Sequence, residues 1–201
     1  MMDDADRVNW QPQQGDALLV TDIQNDFLPG GSLAVQRGDE VVPLLNRYID
    51  LFVARKLPVF ATRDWHPEHH CSFREQGGPW PPHCVAGTRG AEFAAALLLP
   101  LTAVIISKAT TPEQDAYSSF LGTELERKLR DAGVKRLFIG GLTTDYCILN
   151  STRDALRLGY QVFVLADAIR AVDVQPGDGA RAVEEMVRQG AQCITLQGFT
   201  T

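Results

Sequence analysis

The stretch that most restricts the fold is Arg136-Leu-Phe-Ile-Gly-Gly-Leu-Thr-Thr-Asp-Tyr-Cys147. Leu137, Phe138 and Ile139 form the short apolar run of a buried parallel strand. Gly140 and Gly141 end it and permit a sharp turn. Thr144 and Asp145 are suited to cap a helix predicted over 148–158. Cys147 then falls in the first helical turn, at the carboxyl end of a strand. Open α/β sheets bind ligands along that edge. Free backbone N–H groups and the helix dipole there favour thiolate, the nucleophilic form. The plain alternative is a buried structural cysteine.

The same strand–turn unit recurs along the chain. Ala17-Leu-Leu-Val20 is a first strand, running into Thr21-Asp22 and then the loop signal Pro29-Gly30-Gly31. A helix is predicted over 40–56, with Val41, Leu44, Leu45, Tyr48, Leu51 and Phe52 at helical spacing. Pro58-Val-Phe-Ala61 follows as a strand, which makes a βαβ unit with parallel pairing. Further strands are read at Val104-Ile-Ile106, Val162-Phe-Val-Leu165 and Cys193-Ile-Thr-Leu196, the last burying Cys193. Helices are expected over 87–99, 124–132 and 179–189, the last two each closed by a glycine. Residues 1–14 read as a loose polar arm, and residues 15–201 as a single α/β domain.

Composition closes off several classes. A chain of 201 residues with 45% hydrophobic residues supports a substantial core. A net charge of −6 gives no basic footprint for nucleic acid. No apolar run approaches the roughly 20 residues that span a bilayer, and the polar N-terminus lacks the pattern of a signal peptide. Cys71, Cys84, Cys147 and Cys193 are too few for a disulfide scaffold, so a reducing cytoplasm is expected.

Polar residues at the strand ends carry the chemistry. Asp22 follows the first strand and Lys108 the third. A lone aspartate there is usually a turn residue and a lone lysine usually solvated; Asp, Lys and Cys at three strand ends together form a pattern. All four histidines lie between positions 66 and 83, in Thr62-Arg-Asp-Trp-His66-Pro-Glu-His-His-Cys71 and Trp80-Pro-Pro-His-Cys84. In an extended segment Asp64 and His66 point the same way, and His83 on a proline-stiffened loop is the natural third ligand of an open metal site. A closed zinc site using Cys71 and Cys84 ranks below it, because the spacing is not that of CxxC modules. A surface loop with chance histidines is the remaining reading.

Thiolate attack on a carbonyl needs a base for the thiol proton, an acid for the leaving group and a cation for developing charge. Asp22, Cys147 and Lys108 supply these, and backbone N–H groups of Thr143 and Cys147 offer an oxyanion hole.

Between Leu18 and about Asp173 the chain resembles the isochorismatase-like cysteine hydrolases, and among them the nicotinamidase (pyrazinamidase) group. The resemblance rests on Thr21-Asp-Ile-Gln-Asn-Asp-Phe-Leu-Pro-Gly-Gly-Ser-Leu-Ala-Val35, Thr62-Arg-Asp-Trp-His-Pro67, Trp80-Pro-Pro-His-Cys-Val-Ala-Gly-Thr-Arg-Gly-Ala-Glu-Phe93, Lys108 with Asp115-Ala-Tyr-Ser-Ser-Phe120, and Gly141-Leu-Thr-Thr-Asp-Tyr-Cys147. It implies a three-layer α/β/α fold with a six-stranded parallel sheet. It implies a triad of Asp22, Lys108 and Cys147. It implies one divalent metal ion, zinc first and iron or manganese next, on Asp64, His66 and His83, with His70 a further candidate. It also implies a cis peptide at Leu142–Thr143 and an aromatic clamp of Phe27 and Trp80 with Tyr117 nearby. The implied activity is a cytoplasmic amidohydrolase that converts nicotinamide to nicotinate and ammonia through a thioester, in NAD salvage. A related ureido or small-amide hydrolase is the alternative, then a non-catalytic small-molecule binder. The expected partner is a small molecule, with no nucleic acid or membrane and with homo-oligomer assembly open. Thr143 and Ala109 depart from the group, whose members usually carry Ala and Gly there.

Overall fold

The structure is a computed structural model that describes residues 10–199. Of the arm expected over 1–14, residues 1–9 lie outside the described residues. Trp10 is held: its N–H donates to the Gly198 carbonyl at 2.8 Å, and its ring meets Phe163 edge-on at 4.5 Å.

Six parallel strands form one sheet in the order β3-β2-β1-β4-β5-β6. They are β1 (Asp16–Thr21), β2 (Val59–Asp64), β3 (Val104–Lys108), β4 (Arg136–Leu142), β5 (Gln161–Arg170) and β6 (Gln192–Ile194). All six β1 residues are buried, as a central parallel strand covered on both faces requires. The alternation of side chains divides that burial between two cores. Leu18 and Val20 face one layer with Phe138, Phe163 and helix α1 (Val41–Ala54). Ala17 and Leu19 face the other, against α2 (Leu125–Asp131), α3 (Leu149–Arg157) and α4 (Asp178–Arg188). The result is the expected three-layer architecture. No helix among the described residues is long and apolar enough to cross a membrane.

The strand order reverses direction between β1 and β4, so the connections leaving these neighbours part to opposite faces. That switch point opens a crevice at their carboxyl ends.

Several local expectations fail for identifiable reasons. The helix predicted over 87–99 reduces to a 3₁₀ turn at Arg89–Ala91. The segment spends its backbone groups on other loops instead: Glu92 accepts from Asn25 N–H at 3.0 Å, and Ala94 N–H donates to Ile23 at 2.9 Å. Strand β5 runs on to Arg170, beyond the Val162–Leu165 run read as the strand, with the Asp167 carboxylate accepting the Tyr48 hydroxyl at 2.8 Å and the Leu196 N–H at 2.9 Å. Cys193 is exposed, since β6 is a short edge strand.

Gly141 sits where β4 passes β1, at φ +126°. A Cβ there would lie 2.1 Å from the Thr21 carbonyl oxygen, a backbone atom that cannot swing aside. Gly141→Ala is therefore predicted to destabilise the fold by at least about 3 kcal/mol. Gly190→Ala, strained at φ +107° but in open space, should lose only about 1 kcal/mol. Urea unfolding of both variants checks the contrast.

Candidate active site

The carboxyl ends of β1, β2, β3 and β4 deliver their polar residues to one point. Lys108, the last residue of β3, is 1% exposed. Its ammonium lies 3.1 Å from Asp22 Oδ2, forms a short ion pair with Asp64 Oδ1, and donates to the Ala116 carbonyl at 3.2 Å and to Cys147 Sγ at 3.5 Å. The three residues read from separate strand ends thus meet around one buried cation. Asp22 and Ala109 both take φ +52°, so the backbone turns sharply where β1 and β3 release their functional residues. Asp22 Oδ1 accepts the Thr62 hydroxyl at 2.6 Å. Its Oδ2 faces the Lys108 ammonium at 3.1 Å, and its carboxyl also interacts with the Cys147 side chain.

Cys147 lies within a π-helical turn, Thr144–Ile148, that leads into α3. Neither Thr144 nor Asp145 caps it by a side-chain hydrogen bond. Asp145 instead accepts the N–H groups of Val172 at 3.0 Å and Asp173 at 2.8 Å, tying down the chain that leaves β5. The Leu142–Thr143 peptide is cis.

Electrostatics oppose one expectation. Burial pushes the Cys147 thiol well above its usual range; Lys108 pulls it down, but Asp22 and Asp64 push it further up. Burial and the two carboxylates thus oppose the thiolate that Lys108 and the helix terminus favour. Burial also raises Asp22, against the pull of Lys108. Burial works against the Lys108 ammonium, yet Asp22 and Asp64 hold it well above the ordinary lysine range. Cation, carboxylate and thiol are poised to exchange a proton internally.

The second cluster shares Asp64. One ligand atom from each of Asp64, His66 and His83 lies within 4.8 Å of the others, and all three residues are buried. His66 Nδ1 is 2.9 Å from the His83 carbonyl, and His83 Nδ1 is 2.8 Å from the Pro81 carbonyl. Each carbonyl fixes the proton on Nδ1, leaving Nε2 with its lone pair. Burial drives His66 down to about 4 and lowers His83, so both are neutral imidazoles, the ligating form. Two neutral nitrogens and a carboxylate fit a divalent metal ion with open positions. His70 stacks on His66 at 4.3 Å, with Nδ1 2.7 Å from Ser72 Oγ and Nε2 3.2 Å from the Gln114 carbonyl. Both of its nitrogens thus have protein partners.

A small cavity of about 20 Å³ joins the two clusters, lined by Phe27, Leu33, Asp64, Trp80, His83, Tyr117, Thr143, Tyr146, Cys147 and Val172. All three aromatic candidates from the sequence border it, and Trp80 Nε1 donates to the Tyr117 hydroxyl at 3.0 Å. Tyr146 went unremarked in the sequence. Its ring packs edge-on against Trp80 at 5.0 Å and lies 5.2 Å from Tyr117. The signal was its place beside Cys147. The cavity holds about one water molecule.

A thiol, carboxylate and ammonium at the switch point of a parallel sheet, beside a cluster that could hold a metal ion, make up the kind of site a cysteine hydrolase uses. Residues 16–198 match the isochorismatase domain family, and the chain belongs to it. Among its relatives, the nicotinamidase of Escherichia coli K12 is 40% identical over 201 residues, spanning 90% of this chain and 94% of that protein. The crystal structure of the Pyrococcus horikoshii pyrazinamidase in complex with zinc superposes with a TM-score of 0.87 at 49% identity, covering 90% of this chain and 99% of that one. The L. infantum PnC1 structure in complex with nicotinate gives a TM-score of 0.87 at 32% identity, over 96% and 98% of the two chains.

The geometry makes a directional prediction about the thiol. Asp22→Asn removes a negative neighbour, so Cys147 should titrate at lower pH; Lys108→Met removes the positive one, so it should titrate higher. The pH dependence of iodoacetamide alkylation, site-resolved by mass spectrometry in a Cys193→Ser background, reads both. Shifts in the same direction would contradict this charge arrangement.

Proposed function

We propose that the protein hydrolyses nicotinamide to nicotinate and ammonia, with Asp22, Lys108 and Cys147 as its catalytic residues. The observation that carries the reading is the convergence of Asp22 and Cys147 on the buried ammonium of Lys108 beside an aromatic-walled cavity. The nicotinamidase and pyrazinamidase relatives support the substrate class.

In this mechanism Cys147 Sγ attacks the carboxamide carbon while its proton passes to the Asp22 carboxylate. Negative charge develops on the carbonyl oxygen, where the backbone N–H groups of Thr143 and Cys147 serve as the oxyanion hole. Asp22 returns the proton to the departing nitrogen, and the C–N bond breaks to leave a thioester and ammonia. Asp22 then takes a proton from the water that attacks the thioester, and the C–S bond breaks to give nicotinate and the free thiol. Lys108 keeps its charge throughout, holding Asp22 in place and offsetting the thiolate as it forms.

Asp64, His66 and His83 are the proposed ligands of one divalent ion, zinc by analogy with the P. horikoshii relative. Such an ion supplies Lewis-acid polarisation beside the thiol. Phe27, Trp80 and Tyr117, with Tyr146, are proposed to flank the ring of the substrate. Four free cysteines suit a reducing compartment, and we place the protein in the cytoplasm, in NAD salvage.

Cys147→Ala should unfold as cooperatively as the wild type and release no ammonia from nicotinamide. Asp22→Asn should lower kcat by about 10²–10⁴-fold. Substrate choice tests the class of amide separately. Apolar ring faces favour a planar ring, while Asp64 and His83 give the pocket a polar side, and such sites reject analogues that lack the matching group. Nicotinamide and pyrazinamide should be good substrates, benzamide poor and aliphatic amides nearly inert in an ammonia-release assay. A ureido compound turned over faster than nicotinamide would move the protein to a neighbouring amidase class.

A further inference from the structure

We propose that Gln24 is a positioning residue for Asp64: its buried side-chain amide replaces the rungs that the β1–β2 ladder loses when the chain turns at Asp22.

The ladder runs regularly up to that turn. Leu18 N–H donates to the Pro58 carbonyl at 3.1 Å, and Asp22 N–H to the Thr62 carbonyl at 3.1 Å. In a parallel pair the next rung would take Asp64 N–H to the Asp22 carbonyl. That carbonyl is occupied, because Asp22 at φ +52° has turned the chain and Gln24 N–H donates to it at 2.9 Å. The β1 side of Asp64 would be left without backbone partners, and Asp64 is 5% exposed.

The Gln24 side chain supplies both missing partners. Its Oε1 accepts Asp64 N–H at 2.8 Å, and its Nε2 donates to the Asp64 carbonyl at 2.7 Å. The other Nε2 proton goes to the Ala91 carbonyl at 2.9 Å. Gln24 is fully buried, so water cannot stand in for it. Only a primary amide of this length accepts once and donates twice at these positions. Glutamate, when ionised, has no donor, methionine lacks donor and acceptor, and asparagine is one methylene short.

Asp64 is the one side chain common to both clusters, paired with Lys108 on one side and grouped with His66 and His83 on the other. Clamping its backbone on the β1 side fixes where its carboxylate starts. Gln24 thus allows Asp22 to leave the sheet while Asp64 stays in register. Two residues with conflicting backbone needs can then sit side by side.

The inference rests on the reading of Asp64, His66 and His83 as metal ligands within the proposed amidase, and its test needs no turnover. Co²⁺ is titrated into metal-free wild type, Gln24→Met and Gln24→Glu, following affinity and the visible d–d spectrum, with urea unfolding run alongside. Loss of a group that orients a ligand typically costs about 10–100-fold in metal affinity. Folded Gln24→Met should show a loss of that size and an altered spectrum, and Gln24→Glu, which keeps an acceptor, a smaller loss. Wild-type affinity and spectrum in folded Gln24→Met overturn the inference, as does a wild type that binds no Co²⁺. If Gln24→Met does not fold, Gln24→Glu decides by the same criterion. If neither folds, Gln24 is a support of the fold as a whole, and the inference also fails. A wild type that binds Co²⁺ but does not hydrolyse nicotinamide refutes the proposed activity and leaves the Gln24 comparison intact.

Discussion

The buried ammonium of Lys108 is the interaction on which the site depends. An unpaired lysine in such a position would lose its proton or unfold its surroundings, because desolvating the charge costs several kcal/mol. Here two carboxylates meet it, and the pairing explains why Lys108 holds its charge while burial raises Asp22. The two carboxylates outnumber the one ammonium, so the ionised centre is negative. That charge resists a third anion and so opposes a Cys147 thiolate, against the ammonium at 3.5 Å. It also favours a cation on the far side of Asp64, where His66 and His83 stand neutral with lone pairs free. One electrostatic imbalance thus bears on the thiol, on the carboxylates and on a cluster suited to a metal ion.

The sheet makes this concentration of charge possible. Parallel strands end together on one edge, and the order β3-β2-β1-β4 brings the ends of four consecutive neighbours side by side. Asp22, Asp64 and Lys108 each sit at or just past a strand's last residue, and Cys147 follows β4 by a single turn. The apolar strands beneath need nothing from these residues. Alternating burial on the two faces holds the framework, and the polar groups gather where it stops.

Much of this was legible in the sequence because the same periodicity that marks a strand marks its end. Asp22, Lys108 and Cys147 could be picked out as chemistry-bearing residues beyond apolar runs. That they meet depends on strand order, which no local pattern contains and which only the family resemblance implied. Readings that failed did so where a distant partner overrode a local preference. Asp145 looked like a helix cap but holds the chain after β5. The strand read at Val162–Leu165 continues to Arg170, with Asp167 satisfied by Tyr48 and Leu196. The thiolate expected from helix geometry is opposed by burial and two neighbouring carboxylates, which no local pattern shows. Gln24 could not be recognised at all, since a glutamine in a loop gives no spacing signal. Its significance lies in a carbonyl and an N–H forty residues away in the chain.

The walls of the cavity follow from the same economy of loops. Trp80 stands three residues before His83, Phe27 follows Asp22 on the loop leaving β1, and Tyr146 immediately precedes Cys147. Each ring is carried by a segment that also carries a chemical group, and the rings touch one another across segments, Trp80 bonding Tyr117 and packing on Tyr146. The walls of the cavity and the groups beside it are therefore not separable parts of this molecule. A change in one ring reaches the group carried on the same segment, so in the proposed reaction it would act on kcat together with KM.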